Sequence, residues 1–190
     1  NIWILSLEKD FKQQTSDCLK IVLYGPESSG KTTLVNLLAE HFKTVSVPEF
    51  MRIYLQDKWD RTQTVCEKED LIPIAKGQIN TENELSNVAN KYLFCDTNLR
   101  EIKVYSKAYY NDYCPKEILG AVNDHHYHLY LLTYIDTPWE ADDLRDKPDE
   151  RKAMFLKFKN ELDANNCNYV ILQGNVETRF KTAIEHCEAL

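Results

Sequence analysis

The chain has 190 residues, 43% of them hydrophobic and 11% aromatic, which is enough for one sizeable core and short for two. A formal net charge of −7 argues against a surface built to neutralise a nucleic-acid backbone, so no nucleic-acid partner is expected. No apolar run approaches the ~20 residues of a membrane span, and six cysteines without Cys-x-x-Cys spacing read as free thiols of a soluble, cytoplasmic protein.

Residues 1–18 open on an apolar patch with Trp3 and Leu5, then turn polar without a clear period, and are expected to form an N-terminal extension to a domain spanning 19–190. Leu19 to Tyr24 is an apolar run and predicts the first strand. It leads into Gly25, Pro26, Glu27, Ser28, Ser29, Gly30, Lys31, Thr32 and Thr33, which fit the pattern Gly-x4-Gly-Lys-Ser/Thr. Leu34, Leu37, Leu38 and Phe42 then recur at helical spacing. Strand, glycine-bounded loop and helix start form a phosphate cradle, with loop N–H groups and the positive helix end facing the anion. In that setting Lys31 reaches the β- and γ-phosphates of a nucleotide and the Thr32 hydroxyl holds Mg²⁺.

Thr44 to Val47 predicts a short second strand, ended by Pro48, with a helical stretch from Glu49 through Tyr54 and a polar loop from Asp57 to Glu67. Glu69 to about Lys91 is the longest helical candidate, with Pro73 in its first turns. Tyr92 to Cys95 is a compact strand with Asp96 and Thr97 at its end, and Leu99, Ile102, Tyr105 and Tyr109 mark the helix after it. A short helix from Pro115 to about Asn123 precedes the strongest strand signal, His128 to Ile135, which ends at Asp136. His125, His126 and His128 lack the i, i+4 spacing of a helical zinc pair and read as the polar lead-in to that strand. A charged segment from Trp139 to Arg151 leads into a helix through Phe155, Phe158 and Leu162. Tyr169 to Leu172 is the fifth strand, closed by Gly174, and Asn175 is placed to cap a last helix through Phe180, Ala183, Ile184 and Cys187. Five short apolar strands alternating with helices predict an α/β fold, a three-layer α/β/α sandwich around a parallel sheet.

Ligands of open α/β sheets gather at the carboxyl ends of the strands. That rule brings the cradle together with Glu49 and Arg52, Asp96 and Thr97, Asp136, and Gly174. Asp96 suits a metal-holding carboxylate, a contact to an acceptor hydroxyl, or a cap of the following helix. Glu49 suits a general base for an acceptor alcohol, and Arg52 is placed to pair with it or clamp a phosphate. Arg145, Lys147 and Arg151 lie in the charged segment hinged near Pro138 and Pro148, which has the make-up of a closing lid whose arginines stabilise a migrating phosphoryl group. A regulatory GTPase should carry an Asn/Thr-Lys-x-Asp sequence, and none occurs; a mechanical or transport ATPase usually needs more chain. A small-molecule kinase is the expected class, with a kinase for another nucleoside or small alcohol, or an ATPase switch or binding module, as the alternatives.

The loop Gly25 to Thr33, Val47-Pro-Glu-Phe-Met-Arg-Ile-Tyr54, Phe94-Cys-Asp-Thr97 and Pro138-Trp-Glu-Ala-Asp-Asp-Leu-Arg145 together resemble the ribosylnicotinamide kinase domain of the NadR family, from about Leu19 to the C-terminus. The resemblance implies transfer of the ATP γ-phosphate to the 5′-hydroxyl of nicotinamide riboside. It implies ATP and Mg²⁺ as cofactors, with Lys31, Glu49, Asp96 and Arg145 as catalytic residues. Related deoxynucleoside kinases use a strand-end glutamate like Glu49 as the base. Arg151 and Gly174 join the nucleotide-binding loop in this scheme, and Glu49, Arg52, Asp96 and Tyr109 the acceptor site. Tyr109 falls where the family places an aromatic for the nicotinamide ring, a partner suited to a cationic pyridinium. Some relatives have Trp where this chain has Pro48. Bifunctional relatives carry further domains ahead of the kinase, and residues 1–18 match none of them, so a free-standing kinase is expected.

Overall fold

A computed structural model of the chain describes residues 11–138 and 150–190. Trp3, Leu5 and Arg145 lie outside the described residues. Five strands form one parallel sheet: β1 (Leu19–Tyr24), β2 (Ser46–Val47), β3 (Tyr92–Asp96), β4 (Leu129–Thr133) and β5 (Tyr169–Leu172), in the order β2-β3-β1-β4-β5. Seven helices accompany them among the described residues: α1 (Lys31–His41), α2 (Phe50–Thr62), α3 (Leu71–Ser86), α4 (Leu99–Tyr109), α5 (Lys116–Asp124), α6 (Arg151–Ala164) and α7 (Val176–Glu188).

Both faces of the sheet are covered, which is why its strands read as near-continuous apolar runs. On one face Ile21, Leu23, Phe94 and Leu131 pack against Leu34 and Leu38 of α1 and Ala183 and Cys187 of α7. On the other, Val22, Tyr24, Cys95 and Leu132 pack against Val104 and Tyr105 of α4 and Phe155, Phe158 and Leu162 of α6. The three-layer α/β/α architecture read from the sequence is the one observed. The connection leaving β1 runs to β2 on one side, and that leaving its neighbour β3 runs to β4 on the other, so the crevice opens at the carboxyl ends of β1 and β3. The register Leu23↔Asp96 sets the end of β3 beside the start of the loop Gly25 to Thr33.

Several boundaries differ from expectation for identifiable reasons. The stretch Asp57 to Thr62, expected as loop, continues α2. Met51, Tyr54 and Leu55 pack the first turns of this helix against the core, but the apolar spacing does not continue past them; the polar pairs Gln56–Asp60 (3.0 Å) and Asp57–Arg61 (2.6 Å) carry the rest. The expected helix from Glu69 to Lys91 begins as a 3₁₀ turn, Lys68–Asp70, and stops at Ser86, where Ser86 Oγ and the Asn87 amide both donate to the Asn83 carbonyl. The second strand is only Ser46–Val47, because Thr44 turns its hydroxyl onto the Tyr92 carbonyl (2.6 Å). β4 is likewise shorter than the expected His128 to Ile135.

Residues 11–18 do not hang free. Phe11 is buried against Leu71, Ile74 and Ile118, and Gln13 donates to Glu82 at 2.8 Å. Two of the three histidines belong to this fastening: His125 Nε2 lies 2.6 Å from the Phe11 carbonyl and the His126 N–H donates to Gln13, while His128 Nδ1 accepts from the Lys20 N–H of β1.

Gly77 in α3 permits a close crossing. A Cβ there would fall 2.0 Å from Cε1 of Phe50, the first residue of α2. Gly77→Ala is expected to cost about 1–3 kcal/mol through overpacking, read as a lower midpoint in denaturant unfolding with an unchanged slope.

Candidate active site

The loop after β1 is shaped by residues with unusual backbone angles: φ is +143° at Gly25, +55° at Ser28 and +84° at Gly30. Gly25 is required sterically, since a Cβ would meet the Thr133 hydroxyl at 2.7 Å and its carbonyl at 2.9 Å. Ser29 Oγ donates to the Pro26 carbonyl and shares a 2.6 Å hydrogen bond with the Thr133 hydroxyl, so the loop is pinned to the end of β4. The helix α1 starts directly at Lys31, leaving its N-terminal dipole on the loop.

Lys31 is buried and bends back, donating to the carbonyls of Gly25 (2.8 Å) and Pro26 (2.9 Å). Burial works against its charge, but the carboxylates of Glu101, Glu49, Asp96 and Glu27 outweigh that and raise its pKa above the ordinary lysine value. Thr32 Oγ1 donates to Asp96 Oδ2 at 2.6 Å. Asp96 is 2% exposed, and its Oδ1 has no hydrogen-bond partner among the described residues. Burial pushes its carboxyl up, against Lys31, the Thr32 bond and Arg52. A hydroxyl on one carboxylate oxygen and an orphaned oxygen beside it are a donor set that fits a hard divalent cation such as Mg²⁺. Capping of α4 falls instead to Asn98, whose side chain accepts from the N–H groups of Arg100 and Glu101.

Glu49 and Arg52 stand in the same cleft as the loop. A space of ≈ 330 Å³ is lined by Glu27 to Thr33, Glu49, Met51, Arg52, Leu55, Thr137, Pro138 and Val176. Glu49 precedes α2 with extended backbone angles and makes no side-chain capping bond to it. Gln78, buried in α3, holds this turn from behind, accepting from the Phe50 N–H at 2.9 Å and donating to the Pro48 carbonyl at 3.3 Å.

At the far side of the loop Gly174 donates to Asp136 Oδ2 at 2.6 Å, and Arg151 donates to the carbonyls of Thr137 (2.8 Å) and Ser28 (3.1 Å). Tyr109 ends α4, 37% exposed, with its ring 5.9 Å from that of Tyr105; it is not among the residues lining this cleft.

Some residues at the site carry no motif. Arg179 of α7, 1% exposed, pairs with Asp136 and donates to the carbonyls of Ser29 (2.6 Å), Gly174 (2.9 Å) and Tyr134 (2.9 Å), tying the ends of β4 and β5 to the loop. Its sequence context is an ordinary amphipathic helix, and only the fold brings it 150 positions back to Ser29. Glu101, 2% exposed in the first turn of α4, lies beside Lys31; a first-turn glutamate ordinarily reads as a solvated dipole partner. Tyr105 was legible as part of the apolar stripe, but its buried hydroxyl, without a partner among the described residues and near Glu101, Glu27 and Glu49, was not.

A family profile described as "AAA domain" matches residues 20–179. The chain is 30% identical over 168 residues to the trifunctional NAD biosynthesis/regulator protein NadR of Salmonella typhimurium, an alignment covering 87% of this chain and 41% of that protein. The chain thus spans about two fifths of the length of the curated relative it matches. Among solved structures, a NadR protein in complex with NR is similar with a TM-score of 0.71 at 22% identity, covering 91% of this chain and 51% of that one. A deoxyadenosine kinase from M. mycoides is similar with a TM-score of 0.68 at 11% identity, covering 90% of this chain and 100% of that one. The structural likenesses show a fold shared with P-loop nucleoside kinases, and the sequence likeness agrees with the resemblance drawn from the motifs.

Proposed function

The chain belongs to the AAA domain family that its residues 20–179 match, and from that premise we propose that it is an ATP-dependent kinase acting on nicotinamide riboside. In this reading the γ-phosphate passes to the riboside 5′-hydroxyl and gives nicotinamide mononucleotide for NAD synthesis. The observation that carries it is the presence of Glu49 in the cleft of the phosphate-binding loop, a carboxylate on the acceptor side of a nucleotide cradle. The likeness to NadR supports the choice of acceptor.

Each group has a role in the scheme. The N–H groups from Glu27 to Thr33 and the start of α1 receive the triphosphate, and Lys31 leaves the loop carbonyls to meet the β- and γ-phosphates. Mg²⁺, held by Thr32 and Asp96, would neutralise phosphate charge there. Glu49 takes the proton of the 5′-hydroxyl as its oxygen attacks phosphorus, and Arg52, one helical turn on, holds phosphate or acceptor. Arg151 and Gly174 border the nucleotide, Tyr109 offers a ring to the pyridinium, and Arg145 completes the charge on the donor side. Six cysteines, all unbridged, suit a reducing cytoplasm.

The test is a panel: nicotinamide riboside, nicotinic acid riboside, uridine, cytidine and deoxynucleosides, each with ATP and Mg²⁺, followed by ADP release and product. The expected outcome is turnover of a pyridine riboside ahead of the others. Brisk turnover of another nucleoside alone would sink the acceptor assignment, and ATP hydrolysis indifferent to any acceptor would point to an ATPase.

A further inference from the structure

Glu101 matches no phosphate-transfer motif, yet it stands directly behind the lysine a nucleotide needs. Its side chain is 3% exposed, and Oε1 lies 3.4 Å from Lys31 Nζ. Oε2 accepts from the Gly25 N–H at 3.3 Å, so the carboxyl touches both ends of the loop. Lys31 meanwhile has its hydrogen bonds on the carbonyls of Gly25 and Pro26. A phosphate entering the cradle has to draw the ammonium off these partners. Glu101 is then left buried without its cation, a costly state for a carboxylate, and Oε1 has no hydrogen-bond partner among the described residues to soften it.

Among the described residues, the other groups facing Glu101 cannot replace Lys31. Glu49 ahead of α2 and Asp96 at the end of β3 are carboxylates that oppose its charge. Tyr24 at the end of β1 and Tyr105 one turn along α4 are buried phenols with pKa values raised by burial first and by Glu101 next. Among the described residues the Gly25 N–H is the remaining contact that favours the anion.

We propose that Glu101 is a positioning residue for Lys31: it holds the ammonium on the empty loop and takes up a proton when nucleotide phosphate draws Lys31 away. One O–H bond forms on Glu101, the proton comes from solvent, and no other bond changes. Burial already pushes this carboxyl up to about 8 on the empty loop, against the pull of Lys31 and with Glu49 and Asp96 adding to the rise. Losing Lys31 moves it further in the same direction. Nucleotide binding and protonation therefore favour each other, and affinity falls as pH rises through the value of the empty loop.

The inference rests on the nucleotide half of the proposed function and not on its acceptor. The experiment is calorimetric titration of the protein with ADP and Mg²⁺ from about pH 7 to about pH 9.5, in buffers of different ionisation enthalpy, which counts protons exchanged on binding. The expected result is net proton uptake around pH 8–9, with Kd rising by up to about tenfold per pH unit, the limit for one proton. Glu101→Gln keeps an acceptor for the Gly25 N–H and is expected to bind ADP with no such uptake and a flat Kd; the ligand's own titration is common to both proteins and cancels. Equal uptake in both proteins, or none in the wild type, overturns the proposal. If the variant does not fold, as thermal unfolding would show, the wild-type profile decides alone, a flat one overturning it and uptake above about pH 8 supporting it. ADP that fails to bind at any pH overturns the nucleotide reading and this inference together, whereas binding with a flat profile overturns this inference only.

Discussion

Lys31→Met is expected to lower kcat/KM for phosphoryl transfer by about 10²–10³-fold or more while leaving the fold in place. Lys31 is a buried cation at the loop, with the carboxylates of Glu101, Glu49, Asp96 and Glu27 around it. In the transition state its ammonium faces charge spread over the transferring oxygens, where a low-dielectric setting makes it worth most. Methionine fills a similar volume without the charge. Burial already pushes the Glu101 carboxyl up to about 8 beside Lys31, and without that cation it rises further, so at neutral pH it is protonated rather than standing as an unpaired buried anion. Steady-state rates with thermal unfolding as the control check this. A folded variant retaining more than about a tenth of wild-type kcat/KM would remove Lys31 from the chemistry.

Glu49→Gln is expected to lower kcat by about 10²–10⁴-fold with little change in KM for ATP, the range for loss of a general base. The substitution keeps shape and removes the ability to take a proton together with one negative charge near Lys31. Because Glu49 makes no side-chain capping bond to α2, and Gln78 holds the surrounding backbone at Pro48 and Phe50, the turn should survive. A loss in kcat with the KM for ATP unchanged then reports on proton transfer, because a disturbed Lys31 would alter the nucleotide side as well. Near-normal kcat would take the role from Glu49 and leave Asp96 as the candidate, although that carboxylate already accepts from Thr32 at 2.6 Å.

The contrast between Asp96 and Glu101 shows how far such a chain can be read in advance. Asp96 was legible because it ends an apolar strand and the strand-end rule of parallel sheets sends it to the site. The sheet itself was legible for the same reason, since strands buried on both faces announce themselves as apolar runs. Glu101 sits five positions further on and was not, because in sequence it is an ordinary first-turn acid; its burial follows from the packing of α4 between the sheet, α3, α5 and α6. Arg179 was hidden more deeply, its four partners lying at 29, 134, 136 and 174. The length of α2 was missed for the converse reason: its first turns pack Met51, Tyr54 and Leu55 on the core, but from Asp57 to Thr62 it is held by polar pairs along its surface and leaves no hydrophobic period. Motif spacing thus located the loop and the carboxylates of its cleft, while the residues that hold them from behind became visible only in three dimensions.

The central claim, transfer of phosphate from ATP to the 5′-oxygen of nicotinamide riboside, is tested most directly by NMR of the reaction mixture. The protein is incubated with ATP, Mg²⁺ and nicotinamide riboside, and the product phosphorus is examined for coupling to protons. The account predicts a new phosphomonoester resonance coupled to the 5′-methylene protons, growing in step with ADP. Inorganic phosphate as the sole new phosphorus signal beside ADP, with the riboside unchanged, would contradict it.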